Sequence, residues 1–82
     1  MFTYKIDYIN HKFENIKEEV NKGKLLLFAE WEVEELLLEA KKIKQVVKFE
    51  DDLQNLNILI KQLSQYLCDI QCLIEEESSK NL

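Results

Sequence analysis

Apolar residues recur at alternating steps of three and four along three separate segments of the sequence. The first segment carries Ile6, Ile9, Phe13, Ile16 and Val20; the second carries Leu26, Ala29, Val33, Leu36, Ala40, Ile43 and Val47; the third carries Leu53, Leu56, Ile60, Leu63, Leu67, Ile70 and Ile74. Because a mean step of about 3.5 residues is close to the ~3.6 residues of a helical turn, each stripe follows one side of an α-helix. The spacing therefore predicts three amphipathic helices.

The stripes do not share one register, and the two breaks between them locate the ends of the helices. At each break the last residue of one stripe and the first of the next are six residues apart, whereas an unbroken heptad requires seven. Gly23 lies in the first break and can adopt the left-handed conformation that ends a helix. In the second break, Asp51 and Gln54 have the spacing of a capping box. We expect helices near residues 4–22, 25–48 and 52–77, and a loose tail over residues 78–82.

Composition favours helices over sheets. The chain has no proline and a single glycine among its 82 residues, so it is poor in the residues that form the tight turns of sheets. We expect a single helical domain over residues 1–82. Its fold would be an all-α, up-down helical bundle of two long helices and a shorter N-terminal helix, with coiled-coil-like packing. A core of this size is marginal alone, so we expect oligomerisation to complete it.

Two alternatives to this arrangement stay open. Val46 and Phe49 also fit the register of the third stripe, so the second and third helices would then form one long kinked rod. Residues 2–8 alternate apolar or aromatic side chains with polar ones, which is the rhythm of a short β-strand.

The charge distribution argues against nucleic acid and membrane as partners. Sixteen acidic residues against eleven basic ones give a formal net charge of −5, and every basic residue is a lysine. Arginine, which recognises guanine and phosphate through two parallel hydrogen bonds, is absent. The longest uninterrupted apolar run covers residues 25–29, far short of the ~20 residues of a membrane span. The N-terminus also lacks the basic and apolar regions of a secretion signal.

The two cysteines indicate a reducing compartment rather than a metal site. Cys68 and Cys72 lie four residues apart in one predicted helix, where they do not staple a small secreted fold, so we expect a reducing, cytoplasmic environment. Two thiolates at this spacing can bind zinc, but His11 is the only imidazole in the chain. Small, partly buried apolar side chains are the simpler interpretation of both cysteines.

The glutamates of the second helix form two carboxylate pairs at i and i+4, Glu30 with Glu34 and Glu35 with Glu39. Such pairs hold Mg²⁺ or iron in all-α enzymes when facing helices add further carboxylates or histidines. No Glu-x-x-His occurs here, and a solvated charged face explains the glutamates without a metal. We expect no catalytic residue, no metal and no cofactor; a carboxylate metal-dependent all-α hydrolase is kept as an alternative.

The helices carry more apolar side chains than the seams of one small bundle need. Those outside the seams, or widening them, are Trp31, Leu38, Phe49, Leu59, Tyr66 and Leu73. In one interpretation the third helix is central and the wide stripes are core. In the other interpretation, which we favour, some of these residues form a surface for self-association or for a partner. That surface consists either of Trp31, Leu38 and Phe49 or of the third-helix row Leu59, Tyr66 and Leu73, because large aromatic residues are the usual interface anchors.

These observations predict a non-enzymatic protein–protein interaction module, such as an adaptor, an assembly component or a small regulator. Its partner would be a second copy, in a two-fold dimer that packs the second and third helices against their mates, or another protein. No direct contact with nucleic acid or membrane is expected. The alternative is an acidic inhibitor whose C-terminal carboxylates, Asp69 and residues 75–77, occupy a basic nucleic-acid-binding groove of a larger enzyme.

Overall fold

The protein is a bundle of three α-helices that run up, down and up. The structure, a computed structural model, describes residues 2–80, with the side chains of residues 4–77. Helix α1 spans Phe2–Asn21, α2 spans Leu26–Val46 and α3 spans Glu50–Lys80. The predicted all-α bundle is confirmed, and the described part of the chain contains no strand. Both alternatives are wrong, because residues 2–8 are helical and residues 47–49 separate α2 from α3.

The helix ends differ from the predicted ones by a few residues. Helix α1 begins at residue 2 rather than 4, and α3 begins at residue 50 rather than 52. The predicted loose tail over residues 78–82 is wrong for residues 78–80, which continue α3; residues 81–82 lie outside the described residues. No glycine or proline follows Gly23 in the sequence, so nothing in α3 interrupts its ladder of backbone hydrogen bonds.

A tight turn at Gly23 ends α1, as predicted. The backbone N–H of Lys24 donates to the carbonyl of Glu19 at 2.9 Å, and the N–H of Gly23 donates to the carbonyl of Val20 at 3.1 Å. This pair of bonds is a Schellman motif, which needs a left-handed residue after the helix. Gly23 supplies it with a φ of 107°, a backbone angle that other residues adopt only with strain.

The connection between α2 and α3 consists of residues 47–49. The N–H of Val47 still donates to the carbonyl of Ile43 at 3.1 Å, and the N–H of Leu53 donates to the carbonyl of Phe49 at 3.0 Å. The carbonyl of Phe49 therefore accepts the first hydrogen bond of α3, and Asp51 lies inside the first turn. The predicted capping box at Asp51 is wrong; the acidic residues 50–52 instead lie where the helix dipole favours negative charge.

The core consists of apolar side chains from all three helices. Its buried members are Ile6, Ile9, Phe13, Ile16, Ala29, Val33, Leu36, Ala40, Ile43, Leu56, Leu59, Leu63 and Ile70. The central residues of the α1 and α2 stripes are buried as the sequence predicts, and Val20, Leu26 and Val47 pack against the core at the stripe ends. No polar or charged side chain is buried among the described residues, so any functional chemistry is at the surface.

One predicted surface row of α3 belongs partly to the core. Leu59 is only 2% exposed, Tyr66 is half-buried and Leu73 is 45% exposed. Exposure therefore increases along this row toward the C-terminus of α3. The prediction that Leu59 belongs to an interaction surface is wrong, because its side chain is part of the core.

The bundle is elongated because α3 is longer than its neighbours. The molecule measures 49 × 19 × 15 Å, and the 31 residues of α3 extend about 46 Å at a rise of ~1.5 Å per residue. Phe13 of α1 packs beside Tyr66 of α3, so the end of α1 lies roughly level with Ile74 of α3. The final residues of α3 therefore extend beyond the Gly23 turn.

Candidate interaction surface

Helix α2 carries a second apolar stripe on the side opposite the core. Leu27, Trp31 and Leu38 are 68%, 60% and 59% exposed. At ~100° per residue these three positions fall within a narrow sector that points away from the buried stripe of α2. We call this sector, with the charged residues that flank it, the outer face of α2. Exposed aromatic and aliphatic side chains in one line are typical of an interaction surface.

Four charged residues flank Leu38 on this face. Glu34 and Glu35 precede it, Lys41 and Lys42 follow it, and all four are exposed. None of them takes part in an ion pair among the described side chains. These charges therefore remain available to an external partner.

Stabilisation of α2 itself does not explain these charges. The helix has no acidic residue in its first turn and a single basic residue, Lys44, in its last, and the dipole acts mainly on those turns. Glu30 and Glu34, and Glu35 and Glu39, are like-charged neighbours at i and i+4, which weaken a helix slightly. The helix dipole therefore accounts only for Lys44, in the last turn of α2.

A shallow groove between α1 and α2 widens the outer face. It has a volume of about 350 Å³ and is lined by Tyr8 and Lys12 from α1, and by residues of α2 that include Leu38. Tyr8 is 54% exposed, and the Lys12 ammonium lies 5.6 Å from the centre of its ring. The tyrosine therefore adds an aromatic surface beside Leu38.

Tyr8 was missed in the sequence because its segment alternates like a strand. On a helix the exposed pair Tyr4 and Tyr8 has the i and i+4 spacing of a single face, and this spacing is the signal that could have identified it. Phe28 and Val46, also exposed on α2, were likewise not singled out. Both lie beside the outer face rather than on its central line.

The predicted surface residues do not all come together. Trp31 and Leu38 share the outer face of α2, and Phe49, 72% exposed, lies in the connection that follows α2. Leu73 is on α3, while Leu59 is in the core. The structure therefore separates the two surfaces that the sequence offered as alternatives, and only the first of them, Trp31, Leu38 and Phe49, has all of its predicted members exposed.

Tyr66 lines a different groove, between α1 and α3, of about 510 Å³. Its ring meets Phe13 edge to face, with centroids 5.4 Å apart and planes at 72°. The Lys17 ammonium lies 4.5 Å from the centre of the Phe13 ring and 2.8 Å from Glu14. Burial, with a smaller contribution from the nearby Asp69 carboxylate, raises the pKa of Tyr66. The aromatic rings and the Lys17–Glu14 ion pair of this groove thus contact one another within the chain.

The thiols and carboxylates offer little chemistry. Cys68 and Cys72 are free and exposed, so the interpretation of both as partly buried apolar side chains is wrong. The neighbouring Cys68 raises the pKa of Cys72, helped by desolvation and by the carboxylates of Glu75 and Asp69. A raised pKa keeps a thiol protonated and therefore less nucleophilic. No three His, Cys, Asp or Glu side chains group closely enough to hold a metal ion anywhere in the described residues.

Comparison of the chain with protein-family models, with curated proteins and with solved structures found no match. Among the described helices, none combines the length and the apolar character that crossing a bilayer requires. Any function must therefore be inferred from the side chains that the bundle presents.

Proposed function

We propose that the protein is a non-enzymatic interaction module that binds other protein surfaces through the outer face of α2. The observation that supports this most is the exposure of Trp31 and Leu38, at 60% and 59%, on the side of α2 that the bundle does not use. The two side chains are seven residues apart, or about 10 Å along the helix, which is a spacing that one partner helix can cover.

The energetics favour docking of this face. Burying Trp31 and Leu38 removes their apolar surface from water, which contributes on the order of 2–3 kcal/mol for each side chain. Association costs at least about 4 kcal/mol in lost translational and rotational freedom. The two anchors offset this minimum cost, and the flanking charges then select the partner and its orientation.

Site-specific photo-crosslinking in the source cells tests this function. A photoreactive phenylalanine analogue at position 31 or 38 is expected to give discrete adducts with a protein, and the same analogue at Asn57, exposed on α3, is expected to give none. Adducts at position 57 alone, or none at positions 31 and 38, would show that the outer face of α2 is not an interaction surface.

A second candidate, the acidic inhibitor, is favoured by the C-terminal end of α3. Residues 75–77 are exposed glutamates close to a helix C-terminus, where the helix dipole disfavours negative charge. Helix stability therefore does not explain them. An inhibitor that occupies a basic groove would lose affinity steeply as salt is raised, whereas apolar docking through α2 would change little. Binding measured across a salt series separates the two functions.

We further propose that the protein works in a reducing compartment such as the cytoplasm. The support is the pair of exposed thiols, Cys68 and Cys72, since two exposed thiols on one chain would be oxidised in a secretory compartment. Alkylation of both thiols in freshly lysed source cells, before any reductant is added, is the expected result. Thiols already oxidised at that point would contradict the assignment.

A further inference from the structure

We propose that the chain pairs with a second copy of itself, α2 against α2, in antiparallel orientation around a two-fold axis that passes beside Leu38. This inference rests on the proposed function, because it names the partner of the same outer face. It follows from the order of the charges along α2.

The charges on the outer face are symmetric in position and opposite in sign about Leu38. Glu34 and Lys42 each lie four residues from it, and Glu35 and Lys41 each lie three residues from it. When two copies run antiparallel about Leu38, Glu34 meets Lys41 of the second copy and Glu35 meets Lys42, because at ~100° per residue each of these pairs lies on one flank of the outer face. The two-fold axis repeats both pairs, so every one of these exposed charges acquires an opposite charge across the contact.

The apolar residues fit the same register. Leu38 meets its own copy on the axis, and Trp31 lies over Gln45 of the second copy, because positions 31 and 45 of α2 are each seven residues from position 38. All of these residues are exposed in the single chain. The antiparallel pair therefore covers Leu38 and Trp31 together.

A parallel pair is excluded by the same charges. It would place Glu34 against Glu34 and Lys42 against Lys42, and like charges across a helix contact are unfavourable. These four side chains form no ion pair within the described chain, and α2 also carries like-charged neighbours at i and i+4. Their charge pattern therefore does not stabilise the isolated helix. A second, inverted copy of α2 is the partner whose charges complement them.

Disulfide trapping tests the orientation directly. The native thiols are first replaced by Cys68→Ser and Cys72→Ser, and single cysteines are then introduced by Leu38→Cys, Glu34→Cys or Lys41→Cys. Position 38 is expected to crosslink with itself. Two copies of position 34 would be about 12 Å apart along the helices, beyond the ~7 Å that a disulfide spans. Glu34→Cys and Lys41→Cys should therefore crosslink when mixed, and neither should crosslink alone.

Charge reversal gives an independent and matched measurement. Glu34→Lys with Glu35→Lys is expected to weaken dimerisation at least about tenfold, since four attractive pairs become repulsive. Adding Lys41→Glu and Lys42→Glu to the same chain should restore it, because every pair is again opposite in charge. The restored chain should not pair with the wild type.

The outcomes separate this inference from the proposed function. Crosslinking of Glu34→Cys with itself, absence of crosslinking at position 38, or failure of the fourfold reversal to restore pairing would each overturn the antiparallel dimer. Photo-crosslinks from position 31 to a different protein would still support docking through α2 in those cases. Absence of every adduct from positions 31 and 38 would overturn both.

Discussion

At the scale of single residues, the turn between α1 and α2 depends on Gly23 and Lys24. Gly23 provides the left-handed backbone of the Schellman motif. The Lys24 ammonium then bridges α1 and α2, at 2.6 Å from Glu19 and 2.5 Å from Glu32. Adjacent residues thus fix both the reversal of the chain and the pairing of the helices on either side.

Replacing Gly23 by alanine is expected to destabilise the protein by about 1–2 kcal/mol, the cost of a left-handed conformation for a residue with a Cβ. Beyond Gly23 and its two chain neighbours, no atom lies within 4 Å of the position that a Cβ would occupy, so backbone strain causes the loss. Urea unfolding measures it. Asn21→Ala, two residues earlier at the end of α1, is the control and should leave the free energy of unfolding unchanged or slightly raised.

Replacing Lys24 by methionine is expected to destabilise the protein less than Gly23→Ala, because the ion pairs are at the surface and screened by salt. Lys24 lowers the pKa of Glu19 by a hydrogen bond and by its charge. A group whose pKa is lowered on folding stabilises the protein above its unfolded pKa and loses that contribution as pH falls through the folded value.

The stability difference between wild type and Lys24→Met should therefore shrink in acid, as the pH drops below the usual range of a glutamate. The hydrogen bonds that the Lys24 ammonium donates to Glu19 and Glu32 raise the pKa of Lys24, so the difference should also shrink in strong base, above the usual lysine pKa. Lys48→Met, at an exposed position in the α2–α3 connection, is the control. A difference that is constant with pH would contradict the role of the bridge.

At the scale of the helices, α3 shows how a heptad pattern translates into burial. The row Leu59, Tyr66 and Leu73 begins in the core and becomes exposed toward the C-terminus of α3. Residues of one row and similar apolar character therefore have different energetic roles.

Truncation of this row is expected to cost less toward the C-terminus. Leu59→Ala should destabilise the protein by about 2–5 kcal/mol, as for other buried leucines, because it leaves a cavity. Leu73→Ala, at an exposed position of the same row, should cost less than about 1 kcal/mol. Chemical denaturation measures the free energy of unfolding of both variants. Equal losses would contradict the difference in burial between Leu59 and Leu73.

The sequence predicts the three helices and most of the core because each stripe repeats every turn and Gly23 marks a turn of known chemistry. It does not predict the start of α3, since Asp51 can cap a helix or lie in its first turn with equal chemical sense. It also does not separate Leu59 from Trp31 as core and surface. That difference depends on how three helices rotate about one another, which the spacing within one helix does not fix.

At the scale of the whole molecule, the bundle has one shared core and an exposed apolar face outside it. The core contains side chains from all three helices and no buried polar group among the described residues. The outer face of α2 adds Leu27, Trp31 and Leu38 on the opposite side, with charges whose order matches an inverted second copy. The outer face of α2 is therefore the surface of this elongated molecule that is suited to pairing.

Absolute mass by light scattering, measured from about 1 to about 500 µM, tests the pairing of whole molecules most directly. The wild type is expected to rise from 9.8 kDa toward twice that mass, whereas Trp31→Glu should stay at the mass of one chain with unchanged helicity by circular dichroism. Asn57→Glu, which adds the same charge on α3, should behave as the wild type. A wild type of single-chain mass at every concentration, or a Trp31→Glu variant that pairs as well, would contradict the dimer.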